Sequence, residues 1–160
     1  MINMDELFEE IRDDEGVRNF KYLCSENHPT IGVGHRVRDA DPAAGLEVFD
    51  ADAHPLDLDA AQTISEDRVR ELFEEDVSVC IEACQKIYAN WDELPQDAQH
   101  VLANMSFQLG EGTLRKFVNM NKAVDDQDWS AVAWQMLDSR WAQQTPARCE
   151  RLRARIKKLV

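Results

Sequence analysis

The sequence predicts an α+β chain with one amphipathic helix, a small sheet, and then helices to the end. Three observations carry this. Met4, Leu7, Phe8 and Ile11 recur at helical spacing ahead of Gly16. Two short extended runs, Phe20–Cys24 and Thr30–Val33, flank the turn sequence Ser-Glu-Asn-His-Pro. From Ser65 onward, apolar positions return with the three-and-four spacing of helices. At 160 residues, 44% apolar and 31% charged, the chain suits one domain or two small lobes sharing a core, and the composition excludes a disordered or fibrous protein.

The elements can be justified in order. Asn3 with Glu6 reads as a capping box, Ile2 can staple onto Leu7, and Gly16 ends the first helix, expected over 3–15. Gly32 and Gly34 mark close backbone approach at the end of the hairpin. Residues 36–63 are Asp-, Ala- and Pro-rich and are expected to hold a third strand and irregular loops. The pairs Asp50/Asp52 and Asp57/Asp59 lack the ligand order and the glycine of an EF-hand, so they read as solvated loop acids. Ser65 caps a long helix with Glu66 and Asp67 in its first turn. That helix carries Val69, Leu72, Phe73, Val77, Cys80, Cys84 and Ile87 on one stripe. Asp76 lies on the same stripe, so its carboxylate must find a partner. Further helices are expected over 96–109, 114–124, 129–137 and 147–159, the last with Thr145 as N-cap and Pro146 at its first position. Trp129, Trp134 and Trp141 read as core of this region, with Trp91 at a helix end.

Charge narrows the function. Eighteen basic residues against thirty-one acidic ones give a net charge of −13, the wrong sign for a general nucleic-acid binder. Thirteen carboxylates fall between Asp39 and Asp76, and six basic residues between Arg148 and Lys158, the latter expected to form a solvated helix face. No apolar run is long enough to span a membrane. The first residues lack the basic and apolar regions of a signal peptide, so synthesis in the cytoplasm is expected. The four cysteines, at 24, 80, 84 and 149, form no Cys-x-x-Cys pair and have no zinc-finger spacing to a histidine. No metal or cofactor is predicted.

Two residues suggest chemistry. Glu15 ends the first helix beside Asp13 and Asp14, where the helix dipole and the neighbouring acids disfavour its ionised form, as a general acid requires. Arg148 stands in the first turn of the last helix, against that helix's dipole, so a carboxylate elsewhere is expected to hold it. Each has an ordinary surface alternative.

Four ordered motifs together carry a resemblance. Arg12-Asp-Asp-Glu15-Gly-Val-Arg18, then Tyr22 and Thr30-Ile-Gly-Val-Gly-His35, resembles the N-terminal active-site segment of the T-even phage lysozymes, glycoside hydrolase family 24. Ile64-Ser-Glu-Asp67, Leu72-Phe73 and Asp76-Val77 resemble the start of that family's inter-lobe helix. Asn104-Met-Ser-Phe107-Gln108-Leu-Gly110-Glu111 and Ser139-Arg-Trp141-Ala-Gln-Gln144-Thr-Pro-Ala-Arg148 resemble its two C-terminal signatures. The similarity runs from about residue 4 to 150.

The resemblance implies a single lysozyme-like domain over 1–160. A small-sheet lobe would cover about 14–64 and a helical lobe about 65–160, with helix 3–15 packing on the latter, a long helix joining the lobes and a cleft between them. It implies a muramidase cleaving the β-1,4 bond between N-acetylmuramic acid and N-acetylglucosamine. The family's catalytic pattern is Glu, eight residues, Asp, five residues, Thr. Glu15 and Thr30 match it, and Cys24 stands at the Asp position with both spacings intact. A thiol could activate water with help from Thr30, or attack the sugar and form a covalent intermediate. Glu15 could instead act alone, as in a lytic transglycosylase, or the chain could bind cell wall without turnover. The same resemblance makes Arg148 the partner of Glu15, His35 and Asp76 a structural pair, and Phe107 and Gln108 substrate contacts. It implies a monomeric endolysin acting on bacterial peptidoglycan, with a holin-like membrane protein giving it passage from the host cytoplasm.

Overall fold

The computed structural model describes all residues, Met1–Val160. The chain divides into two compact units, Phe8–Asp76 on the one hand and Met1–Leu7 with Val77–Val160 on the other. The first helix, α1 (Met4–Glu15), and the long helix α2 (Glu66–Ile87) each give residues to both.

Helix α1 starts and stops as its sequence dictates. The Glu6 N–H donates to Asn3 Oδ1 at 3.2 Å, and the Gly16 N–H returns to the Arg12 carbonyl at 2.9 Å. The capping box is only half made, because the Glu6 carboxylate binds Arg155. Leu7, Phe8 and Ile11 are buried, and the Phe8 ring meets Phe73 edge to face with centroids 5.0 Å apart.

In the unit Phe8–Asp76 a four-stranded sheet runs in the order β3-β2-β1-β4. Strands β1 (Arg18–Leu23) and β2 (Pro29–Gly32) pair antiparallel, with Tyr22 opposite Thr30 and Leu23 opposite Pro29. Strand β3 (His35–Arg36) continues antiparallel, with Ile31 opposite His35. The segment expected to hold a third strand supplies β4 (Val48–Phe49), parallel to β1. Parallel pairing needs a crossover. Here Asp41 starts it by accepting the Ala43 N–H at 2.8 Å, capping a 3-10 turn over Pro42–Gly45. Asp50 and Asp59 cap further turns, accepting from the Asp52 and Ala61 N–H groups at 2.8 and 3.0 Å.

Asp76 finds its partner in this unit. His35 Nδ1 donates to Asp76 Oδ2 at 2.8 Å, and His35 Nε2 to Asp41 Oδ2 at 2.7 Å. One imidazolium therefore joins β3 to α2 and to the cap of the 3-10 turn.

The unit containing Val77–Val160 is helical. Helix α3 (Gln96–Arg115) is buried nearly all round over residues 98–106, with Ala98, Val101, Leu102 and Met105 at most 1% exposed and Gln99, His100, Asn104 and Ser106 buried among them, as befits a central helix. Its regular path breaks at Gly110, whose φ of 78° a side chain would resist. The expected helix 114–124 is thus split between the end of α3 and α4 (Val118–Asp125). Then come α5 (Trp129–Leu137), α6 (Arg140–Gln144) and α7 (Pro146–Lys157). Pro146 holds the first position of α7, but the Thr145 hydroxyl donates back to the Trp141 carbonyl at 3.1 Å and makes no forward cap.

Two expectations are corrected. Trp134 is 59% exposed, because Trp129, Val132, Ala133 and Met136 form the inward stripe of α5 and Trp134 falls off it. The basic residues of α7 are also not simply a solvated face. Arg148 is buried, Arg153 Nε donates to the Ala133 carbonyl at 2.9 Å, and Arg155 binds Asp97 at 2.7 Å as well as Glu6.

The His35 clamp sets a pH dependence. The hydrogen bond to Asp76 raises the imidazole to about 9 from 6.5, against desolvation and with help from Asp41. Desolvation pushes Asp41 up, but His35, the Ala43 N–H and the charge of Arg68 bring it below its usual value. A folded-state pKa above the unfolded one means the native state holds the extra proton, so this stability is complete below about pH 6.5 and lost as pH rises through about 9. On the acid side, the Asp41 contribution is lost as pH falls through its depressed value. In urea unfolding, His35→Asn should cost up to ~3 kcal/mol near pH 6. The gap to wild type should close above pH about 9.

Candidate active site

Cys24 leaves the end of β1 into the hairpin turn. Its N–H donates to the His28 carbonyl at 3.0 Å, and the Asn27 N–H donates to the Cys24 carbonyl at 2.9 Å. Asn27 takes a φ of 61°, a left-handed position that asparagine tolerates. This tight turn directs backbone toward the sulfur. Desolvation pushes the Cys24 thiol up, but hydrogen bonds from the backbone of His28 and Glu26 and from the Thr30 side chain outweigh it, with the Glu26 carboxylate opposing. The net direction is downward, toward thiolate.

The other cysteines differ. Burial pushes Cys84 up to about 12 and also raises Cys149. All four thiols are free. Of these three cysteines, only Cys24 has surroundings that favour the reactive form.

Thr30 sits opposite Tyr22 in the β1–β2 register and is 5% exposed. Its hydroxyl donates to the His28 carbonyl at 2.8 Å. The carbonyl of His28 thus anchors both the Cys24 backbone and the Thr30 side chain, holding sulfur and hydroxyl together. Glu15 is the last residue of α1 and is half-buried.

Gly34, between β2 and β3, meets Glu15. A Cβ there would lie 3.7 Å from Glu15 Oε2 and 3.8 Å from its Cβ and Cγ, and the φ of +64° disfavours any side chain. The sequence marked Gly34 as a close approach without saying to what. It is the Glu15 side chain.

The helical unit holds the remaining expected residues. Arg148 is 7% exposed. Its Nε donates to Asn104 Oδ1 at 2.9 Å and one terminal nitrogen donates to the same oxygen at 2.7 Å. Asn104 is fully buried in α3, and its role as the neutral support of the guanidinium was missed. A buried asparagine inside a helix is itself a signal, since its amide must be satisfied. Phe107 and Gln108 are half-buried on α3. Gln108 Oε1 accepts the Trp141 indole N–H at 2.8 Å, a link the sequence also did not show.

Comparison with known proteins places the chain. The phage lysozyme family model matches residues 12–158. The chain belongs to the phage lysozyme family. Its fold is the lysozyme-like α+β fold expected from its motifs, and membership makes it a glycoside hydrolase. A Dictyostelium discoideum protein named Probable T4-type lysozyme 2 is 28% identical over 149 residues, covering 89% of this chain and 88% of that protein. The Pre-baseplate central spike protein Gp5 of Enterobacteria phage T4 is 31% identical over 90% of this chain, which matches 26% of its length. The Peptidoglycan hydrolase gp36 of Pseudomonas phage phiKMV is 24% identical over 88% of this chain, matching 14% of its length.

Gly34 gives a test of how this phage lysozyme orients its glutamate. Gly34→Ala should lower turnover about tenfold, through the strain of about 1 to 2 kcal/mol that a side chain meets at this φ of +64° rather than through a clash, since its Cβ would meet Glu15 only at ordinary contact distance. Steady-state turnover of cell-wall suspensions checks this, with thermal melting run alongside to show that the variant is folded.

Proposed function

We propose that this glycoside hydrolase cleaves the β-1,4 bond between N-acetylmuramic acid and N-acetylglucosamine in bacterial peptidoglycan. Glu15 would be its general acid, and the Cys24–Thr30 pair would take the place of the second carboxylate. The observation that carries the proposal is the hairpin turn that holds Cys24 against Thr30 and lowers the thiol, at the spacing from Glu15 where the family has aspartate. Family membership and the similarity to a peptidoglycan hydrolase support the substrate.

In this mechanism Glu15 gives its proton to the glycosidic oxygen as the bond to the anomeric carbon breaks. The Cys24 thiolate takes a proton from a water molecule, whose oxygen bonds to that carbon. Thr30 orients the water. The next turnover then requires the proton to pass from the thiol back to Glu15 through solvent. The family resemblance is what assigns Arg148 as the partner of Glu15, and Phe107 and Gln108 as contacts for the sugar chain. His35 and Asp76 are structural in this scheme.

No helix of the protein is long and apolar enough to cross a membrane. We place the enzyme in the host cytoplasm until lysis, acting as a monomer, with a holin-like protein opening its way to the wall.

Glu15→Gln should reduce release of soluble fragments about a thousandfold. Cys80→Ala leaves Cys24 as the one cysteine that is not buried. In that background, alkylation confirmed at Cys24 should stop turnover while wall pull-down survives, and Cys24→Asp should be active and insensitive to the reagent. Undiminished turnover after complete modification of Cys24 contradicts its assigned role.

A further inference from the structure

Hydrolysis by the proposed route leaves a proton on the Cys24 thiol, and that proton must go before the next turnover. The hairpin offers a group to take it. Tyr22 lies opposite Thr30 and Leu23 opposite Pro29, so the antiparallel register carries Cys24 to a place opposite His28. The Cys24 N–H closes that pair by donating to the His28 carbonyl at 3.0 Å. Side chains opposite one another in an antiparallel pair share a face, with their Cβ atoms about 5 Å apart. Alternation puts Tyr22 and Thr30 on the same face. The hydrogen bond between the Thr30 side chain and the thiol is the diagonal contact expected there.

The loop leaves the pair little freedom. Only Ser25, Glu26 and Asn27 separate Cys24 from His28, and the Asn27 N–H donates to the Cys24 carbonyl at 2.9 Å. With Asn27 at a φ of 61°, this is the three-residue hairpin in which a turn is followed by one left-handed residue. An acid stands beside the imidazole. Glu26 Oε2 lies 3.8 Å from His28 Nε2, a charge contact rather than a hydrogen bond. The same carboxylate opposes ionisation of Cys24 by its charge. A proton on the ring would offset that charge and ease formation of the thiolate. At rest the thiol is bonded by the His28 backbone rather than by its ring. The side chain is 39% exposed, so the ring has room to turn, and one water suffices to carry a proton between the two.

We infer that His28 is the proton relay of Cys24: its imidazole takes the thiol proton, directly or through one water, and Glu26 steadies the charged ring. The inference rests on the reading of Cys24 as the base that activates water. Water gives a proton to the thiolate as its oxygen bonds to the anomeric carbon, and the thiol then passes that proton to His28. The imidazolium releases it to solvent, from which Glu15, having protonated the leaving oxygen, regains one. Imidazole suits the task because its unperturbed titration falls between pH 5 and 8. Glu26 is the charged group that bears on both members of the pair.

Two measurements in the Cys80→Ala background test this, and one needs no substrate. The rate at which iodoacetamide alkylates Cys24 follows its thiolate fraction. His28→Ala should move that rate–pH profile to higher pH and slow alkylation at pH 7 about fivefold. The melting temperature should stay close to that of the parent. His28→Gln, polar but without a titrating ring, should behave the same way. On purified walls His28→Ala should lower kcat about tenfold with KM little changed, and imidazole added to the buffer should restore much of the loss. A profile that does not move in either variant, or a loss of kcat that imidazole leaves unrestored, overturns the inference. A wild type that releases no fragments refutes the proposed hydrolysis, whereas the alkylation profile still decides whether His28 governs the Cys24 proton.

Discussion

An imidazole ring held between two carboxylates sets the geometry of the sheet-bearing unit. His35 reaches Asp76 on α2 at 2.8 Å and Asp41 at 2.7 Å, and its own strand pairs with β2 through Ile31. The consequences pass through neighbours. Gly34, next in sequence, packs against the Glu15 side chain. Thr30, one residue before Ile31, stands opposite Tyr22 and hydrogen-bonds the Cys24 side chain. A shift of β3 would therefore disturb the placement of Glu15 and the register of the Cys24–Thr30 pair together. The clamp is costly to build, since both carboxylates and the ring lose solvent, and it repays that cost only while every lone pair and proton is used.

The helical unit solves a related problem with neutral groups. Arg148 is buried against the side-chain oxygen of Asn104, which orients the guanidinium without neutralising it. A carboxylate at that position would hold the arginine equally well but would compete for its charge. Gln108 and Trp141 follow the same economy, one polar atom satisfying another within an otherwise apolar core. The cations of α7 that looked like a solvated face in sequence are partly spent inside the molecule, on Asn104, the Ala133 carbonyl, Asp97 and Glu6.

Much of this was legible before the structure. Helix boundaries at Asn3, Gly16, Ser65 and Pro146 follow from local capping chemistry, which depends on residues a few positions apart. The need of Asp76 for a partner followed from its place on an apolar stripe. What could not be read were the long-range choices. Asp41 as a second partner of His35 depends on the crossover that also makes β4 parallel, and weak periodicity in residues 36–63 gave no hold on that path. Trp134 was assigned to the core on residue type, yet orientation around a nine-residue helix decides burial. Asn104 and Trp141 were visible as motif letters, but their partners are respectively 44 and 33 positions away.

The Cys24–Thr30 pair is the point on which the chemical account stands, because a thiol in place of a carboxylate admits hydrolysis, sugar cyclisation or no reaction at all. The chemical ends of the products distinguish these outcomes. Mass spectrometry of fragments released from purified peptidoglycan by the reduced protein should show N-acetylmuramic acid ends that borohydride reduces, the signature of water addition. Fragments ending in 1,6-anhydro sugars, or no fragments at all, would contradict hydrolysis at this site.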